Sequence, residues 1–235
     1  MNILYYDCFS GICGDMNLVA MIGLGVDPHY LTGELSKLGL DNEFSIQVSK
    51  GERKGIHGVR VDVELTGNEP RHTHTHRNLK DIEQIIRASK LDDDVKSTSL
   101  AIFRRVAEAE AKIHDRPIDE VHFHEVGATD SIVDIVGAAL CFHLLDIDEV
   151  WSSPVELGGG FVKCAHGMLP VPAPATLEIL EGIPTRSGAV QKETTTPTGA
   201  AILAELVDRF ESSPEMKTVK TAYGIGHRDT DIPNV

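Results

Sequence analysis

Asn2-Ile3-Leu4-Tyr5-Tyr6 is apolar after its first residue and predicts a buried strand near the start of the chain. A glycine-containing loop, Asp7–Asp15, follows it, and residues 16–24 are apolar enough to predict a helix stopped at Gly25. Asp27-Pro28 is a cap followed by a first-turn proline, so a second helix opens there and closes at Gly39. Phe44, Ile46 and Val48 then alternate with polar residues, as do Val59, Val61, Val63 and Leu65. Period two on both sides of a glycine-bearing turn, Lys50–Gly58, predicts a hairpin with one buried face. A polar loop covers 66–77. Asn78 caps a helix over about 79–88, and a longer amphipathic helix covers about 93–114, with Ile102, Phe103, Val106 and Ile113 on its apolar stripe.

Residues 120–128 read as a strand or turn into a third strong helix, 130–145, which is apolar nearly all round after Asp134 and therefore central. Val150–Leu157 reads as a strand, and Gly158-Gly159-Gly160 follows. The prolines at 170–174 lead into a short helix ending near Gly182. Thr196-Pro197 caps a helix over 197–210, and Lys217–Gly226 reads as a last strand. No repeat is visible. Helices and strands alternate around one hairpin, which predicts an α/β or α+β fold, a single domain over 1–235 with a mixed β-sheet packed by helices.

Composition narrows the partners. The chain has 235 residues, 41% hydrophobic, and a formal net charge of -14. Such a surface repels phosphate backbones and anionic lipid, so neither nucleic acid nor membrane is expected as a partner. No basic start followed by an apolar run marks a signal peptide, and no apolar stretch approaches the roughly 20 residues that span a bilayer. Cys8, Cys13, Cys141 and Cys164 are scattered without a CxxC pair. That pattern fits reduced thiols and a cytoplasmic protein.

Histidine then changes the picture. Five of the eleven fall in His72-Thr73-His74-Thr75-His76 and in His122-Phe123-His124-Glu125. On an extended segment His122 and His124 share a face. Asp130 and Asp134 lie four apart, on one face of the following helix near its start. Two imidazoles with Glu125, Asp130 and Asp134 form a mixed nitrogen and oxygen set suited to nickel, zinc or manganese. The same residues also read as helix-dipole and hydrogen-bonding groups. His72, His74 and His76 read either as a solvated loop or as a transient metal collector.

Two loops resemble anion cradles. Ser10, Gly11 and Gly14 stand between a strand and a helix start, without the Lys-Ser/Thr of a phosphate-binding P-loop. Asp7 and Asp15 beside them would repel an anion unless a metal intervened. Thr196 and Thr198 place hydroxyls at another helix start, and Gly158 and Gly159 mark a close backbone approach. The residues alone point to a phosphorylated ligand meeting a divalent metal.

Several blocks in order resemble one family. Asp7-Cys8-Phe9-Ser10-Gly11-Ile12-Cys13-Gly14-Asp15-Met16 is similar to the opening of the LarC family of nickel insertion proteins, and the stretch from Phe123 to Asp134 resembles its central signature. Gly158-Gly159-Gly160 with His166-Gly167, Pro170–Ala175 and Thr196–Ala200 fit as well. The resemblance implies nickel insertion into pyridinium-3,5-bisthiocarboxylic acid mononucleotide, giving the nickel-pincer cofactor of lactate racemase-type enzymes. It implies a cyclometallase of the lyase class using CTP with Mg or Mn.

On this resemblance His124, Glu125, Asp130, Asp7 and Asp15 are the catalytic candidates. Ser10, Gly11, Gly14, Gly158, Gly159, Thr196 and Thr198 are the cofactor-binding candidates. His72, His74, His76, His122, His124, Glu125, Asp130 and Asp134 are the nickel candidates. The family's CTP-associated C-terminal part is expected as a partner beyond Val235, the chain being a first part or a truncation, and a homo-oligomer is compatible with the pattern. A non-catalytic nickel-binding or storage module and a nucleotide-dependent transferase of related fold are the alternatives.

Overall fold

The computed structural model describes residues 1–65, 77–121, 123, 126, 128–164 and 167–235. Strand β1 (Ile3–Tyr6) leads into α1 (Gly14–Gly23) and α2 (Pro28–Leu35). The hairpin β2 (Phe44–Arg53) and β3 (Ile56–Leu65) follows, then α3 (Leu79–Ala88), α4 (Asp93–His114) and α5 (Thr129–Leu144). The second half holds β4 (Glu149–Ser152), β5 (Val155–Glu156), β6 (Phe161–Cys164), β7 (Gly167–Pro170), α6 (Pro174–Ile179), β8 (Thr185–Arg186), α7 (Pro197–Leu206) and β9 (Arg209–Phe210). The class is α/β, with parallel and antiparallel pairings distributed over four small sheets.

The spine is a parallel sheet in the order β1-β4-β9. Its first pairing runs from Ile3 opposite Glu149 to Tyr6 opposite Ser152, so five helices and a hairpin fill the connection between neighbouring strands. Helix α5 packs against α1, α2, α4 and α7. Ile132, Val133, Ile135 and Val136 on it are fully buried, which is why it is apolar nearly all round. Gly137 lets Leu18 of α1 close in: a Cβ there would stand 2.7 Å from the Leu18 Cδ1.

Local signals account for most boundaries. Asp27 accepts the His29 N–H at 3.0 Å and Pro28 opens α2. Asn78 and Asp81 form a reciprocal capping box on α3. On α4, Ile102, Phe103 and Val106 are buried, but Ile113 at its end is 38% exposed and borders a cleft instead.

Three expected elements differ. The Val150–Leu157 strand is two, because Pro154 has no N–H and the chain changes partners there. Ser153 N–H bonds to Tyr6, while Val155 N–H turns to Pro184. The helix expected over 197–210 ends at Leu206, since Asp208 exchanges bonds with the Val150 backbone and draws 209–210 into the sheet as β9. Residues 217–226 are not a strand. Their backbone meets the hairpin only where Gly224 pairs with Val59. Gly224 lies against the Met16 carbonyl and Gly226 against the Asn234 side chain, so close packing rather than a ladder holds the segment.

Candidate functional site

Of the nickel candidates, His72, His74, His76, His122, His124 and Glu125 lie outside the described residues. Their described neighbours are tied together. The Phe123 N–H donates to the Arg77 carbonyl at 3.3 Å. The Arg77 guanidinium donates to both oxygens of Glu43 at 2.9 and 2.7 Å and to the Thr129 hydroxyl at 3.0 Å. Thr129 donates in turn to Glu43 at 2.5 Å. Burial would raise the Glu43 pKa, but the bonds from Thr129 and Arg77 outweigh it and hold the carboxyl below its usual value. The residue before β2, the residue after the first histidine block and the first residue of α5 therefore form one partly buried polar junction.

Asp130 and Asp134 follow on α5. Asp130 is exposed and accepts the Ser131 N–H at 2.8 Å. Asp134 points inward, against the first residue of α1, where a Cβ on Gly14 would strike its carboxyl. Its Oδ1 is buried with no hydrogen-bond partner among the described residues. Burial first, and then the charges of Asp15 and Asp130, push its pKa well above the usual carboxylate range.

The α1 side supplies a polar chain. Cys13 donates from Sγ to Asp15 Oδ1 at 2.7 Å, and Asp15 Oδ2 stands 3.3 Å from His227 Nε2. The His227 Nδ1 lies 2.9 Å from an Arg60 nitrogen. A guanidinium only donates, so Nδ1 accepts and the proton sits on Nε2, facing Asp15, an assignment that follows from the bonding network. Burial would raise Asp15, yet bonds from His227, Cys13 and the Met16 N–H hold it below its usual value. The Asp15 bond lifts His227, against its own desolvation and the Arg60 charge. Burial pushes the Cys13 thiol well up.

The remaining candidates are engaged inside the fold. Ser10 is buried and bonds the Val235 carbonyl at 2.6 Å, and Gly11 abuts Thr194 with its N–H on the Cys8 carbonyl. Gly158 and Gly159 give their N–H groups to Glu156 Oε1 and the Lys192 carbonyl. Thr196 bonds the Ile12 carbonyl through its N–H and caps α7 through its hydroxyl, while Thr198 is buried. The two cradle-like loops thus pack on each other, and Gly199 is small because Ile12 lies against it. Several of their donors are used within the fold and the Asp134 carboxyl covers the start of α1, so the described residues do not fit a triphosphate. Asp7 is exposed at the end of β1.

A cleft of about 260 Å³ opens beside the junction. Phe123 and Val126 line it from the segment before α5, Val162, Cys164 and Leu169 from the β6–β7 hairpin, Ala173, Pro174 and Ala175 from the start of α6, and Glu193 and Pro197 from the start of α7. Glu110, Ile113 and His114 of α4 close it. Glu193 accepts Arg228 Nη2 at 2.9 Å. Four sequence blocks spread over about 75 residues meet on this one surface. Among the described residues no group of three or more His, Cys, Asp or Glu is able to hold a metal ion, and no helix is long and apolar enough to cross a membrane.

Residue patterns did not reveal His227, Arg60, Arg77 or Glu156 as site residues. Glu156 is buried and accepts two backbone N–H groups through one carboxyl oxygen. Only a charged residue inside an apolar strand could have marked it.

The nickel insertion protein family model matches residues 4–235. A relative from Maridesulfovibrio salexigens, carrying the provisional name of nickel insertion protein, is 65% identical and is covered over 62% of its length. The pyridinium-3,5-bisthiocarboxylic acid mononucleotide nickel insertion proteins of Clostridium kluyveri and Clostridium acetobutylicum are 57% and 55% identical, covered over 61% and 63%. All three alignments take in the whole of this chain, which spans about three-fifths of these curated relatives. No solved structure matches it. The chain belongs to the nickel insertion protein family.

Proposed function

We propose that this chain is the N-terminal part of a CTP-dependent cyclometallase. It takes part in inserting nickel into pyridinium-3,5-bisthiocarboxylic acid mononucleotide, acts in the cytoplasm, and completes the reaction with a C-terminal part that supplies the CTP and Mg or Mn site. The names of its relatives are the starting point. The observation that carries the reading is the convergence of four motif blocks on one cleft of about 260 Å³. That space suits a single planar ring with its substituents reaching outward.

The lining supports a ring rather than a sugar. Phe123, Val126, Val162, Leu169 and Pro197 offer apolar faces, and the polar groups Glu110, His114, Cys164 and Glu193 orient what enters. Replacing a ring C–H by a carbon–nickel bond releases a proton, so a base must act as nickel arrives. His124, Glu125 and Asp130 remain the candidates for it, since Phe123 and Val126 of the same sequence block line the cleft.

The test is calorimetry with the mononucleotide on the wild-type chain and on Val126→Trp, which fills the cleft. The reading expects binding in the wild type and at least a tenfold loss in the variant. Equal affinity in both would remove the cleft from the reaction. Nickel binding without any mononucleotide binding would favour a storage module.

A further inference from the structure

We propose that Lys192 and Arg228 form a phosphate subsite at the rim of the cleft and hold the phosphate of a pyridinium mononucleotide whose ring occupies the cleft. The inference rests on the reading of the cleft as the mononucleotide site, and it names the groups that take the charged end of that ligand.

A phosphate needs donors, and the two loops with the composition for one do not offer them. Ser10, Gly158, Gly159 and Thr196 are bonded within the fold. Among the described residues the cleft lining holds no lysine or arginine, and its carboxylates are Glu110 and Glu193. A dianion inside the cleft would meet those two charges without a fixed cation beside it. Its place is therefore at the rim, one side chain further out.

Glu193 leads there. It lines the cleft, and both its carbonyl and its carboxylate accept from the Arg228 guanidinium, the carboxylate at 2.9 Å. The neighbouring bond crosses the same seam in the other direction: Lys192 Nζ donates to the Asp229 carbonyl at 2.8 Å. Residues 192–193 and 228–229 thus anchor an ammonium and a guanidinium on one seam beside the cleft. The backbone of Arg228 is also held, since its N–H donates to Asn234 Oδ1 at 3.0 Å and Asn234 is buried. A guanidinium fixed in advance loses less conformational freedom when a ligand arrives.

Both cations keep donors in reserve. A guanidinium carries five N–H groups and an ammonium three. Glu193 takes two of the first set and the Asp229 carbonyl one of the second. The Arg228 side chain is 41% exposed against 10% for Glu193, so the fork is gripped from the protein side and remains accessible to solvent. Lys192 makes no ion pair among the described residues, and the exposed Asp229 carboxylate pairs with neither cation. The formal net charge is -14, yet charges beyond about 8 Å are largely screened at physiological ionic strength, so the local pair decides. A phosphate monoester offers three acceptor oxygens, which suit a fork that meets two of them and an ammonium that meets the third.

Calorimetry with pyridinium-3,5-bisthiocarboxylic acid mononucleotide, and with the same compound after phosphatase treatment, tests the subsite. The wild-type chain should bind the mononucleotide at least about tenfold more tightly than the nucleoside. In Lys192→Gln and in Arg228→Gln that preference should fall below about threefold, with the loss on the mononucleotide alone. Arg228→Lys keeps the charge without the fork and should retain an intermediate preference. A merely structural role for Arg228 would lower both affinities together. Melting midpoints check each fold, and Lys192, an exposed side chain, supplies the variant least disturbing to it. A preference that persists in both Gln variants, or that is missing from the wild type, overturns the subsite. Nucleoside binding that still disappears in Val126→Trp would then leave the cleft reading standing. Failure of both compounds to bind the wild type would sink the two readings together. Variants that weaken CTP binding and leave the preference intact also overturn the subsite, and assign the two cations to the triphosphate.

Discussion

The Asp134 carboxyl rests against the α-carbon of Gly14, joining the middle of the chain to its first loop. The two residues come from the two blocks that hold most of the candidate catalytic residues, 120 positions apart. Their contact brings the acidic end of α5 to the start of α1, where the helix dipole favours negative charge.

Gly14→Ala should therefore destabilise the protein. Its methyl group would enter the space of the Asp134 side chain, and overpacking of this kind typically costs about 1–3 kcal/mol. Gly33→Ala is the control. Gly33 sits in α2 with nothing within 4 Å of an added Cβ. Alanine there should stabilise by about 0.5–1 kcal/mol through helix propensity and unfolded-state entropy. Urea midpoints of the two variants should move in opposite directions.

Asp134 also sets a pH dependence. Its folded pKa is raised well above the value of 3.8 expected for the unfolded chain. The stability linked to it is complete below that unfolded value and is lost as pH climbs towards the folded one. The slope for a single buried group approaches about 1.4 kcal/mol per pH unit. Asp134→Asn removes this titration, so the wild type should lose stability relative to the variant as pH rises from about 4 towards neutrality. Parallel urea curves across that range would contradict the burial of the carboxyl.

Arg77 is the next lever. It is 12% exposed and holds Glu43 and Thr129 together at the junction between the two histidine blocks. Arg77→Ala should cost about 1.5–3 kcal/mol, the usual range for hydrogen bonds to charged groups. Arg77→Lys should recover only part of that, since an ammonium lacks the planar fork that meets two oxygens at once. If the junction orders the metal-handling segments, Arg77→Lys should also weaken nickel binding more than its melting point suggests.

Much of this fold was legible in the chain and part of the site was not, for identifiable reasons. Asp27-Pro28 and Asn78 announce their helices because capping is local, and α4 shows itself by its stripe. Asp130 and Asp134 both lie on α5, as their spacing predicts, and the Asp130 charge helps to raise the Asp134 pKa. His227 was invisible because its segment has no periodicity. Its position comes from Gly224 and Gly226 packing against Met16 and Asn234, contacts that bridge more than 200 residues in the first case. Likewise the cradle-like loops have the right composition for an anion, but several of their N–H groups are already bonded within the fold. Composition cannot tell a donor that waits for a ligand from one already used.

The histidine run supplies a final prediction, and it turns on what stability depends on. The described core is built from α1, α4, α5 and α7 around the parallel sheet. If the run His72, His74 and His76 is the solvated loop its sequence suggests, replacing all three by Ala should shift the melting midpoint by no more than about 2 °C, since surface substitutions typically cost under about 0.5 kcal/mol. Nickel bound per chain should fall, since three imidazoles are lost from a chain whose described residues contain no metal group of their own. Equilibrium dialysis with nickel measures the loss. Unchanged nickel stoichiometry in the triple variant would remove the loop from metal collection.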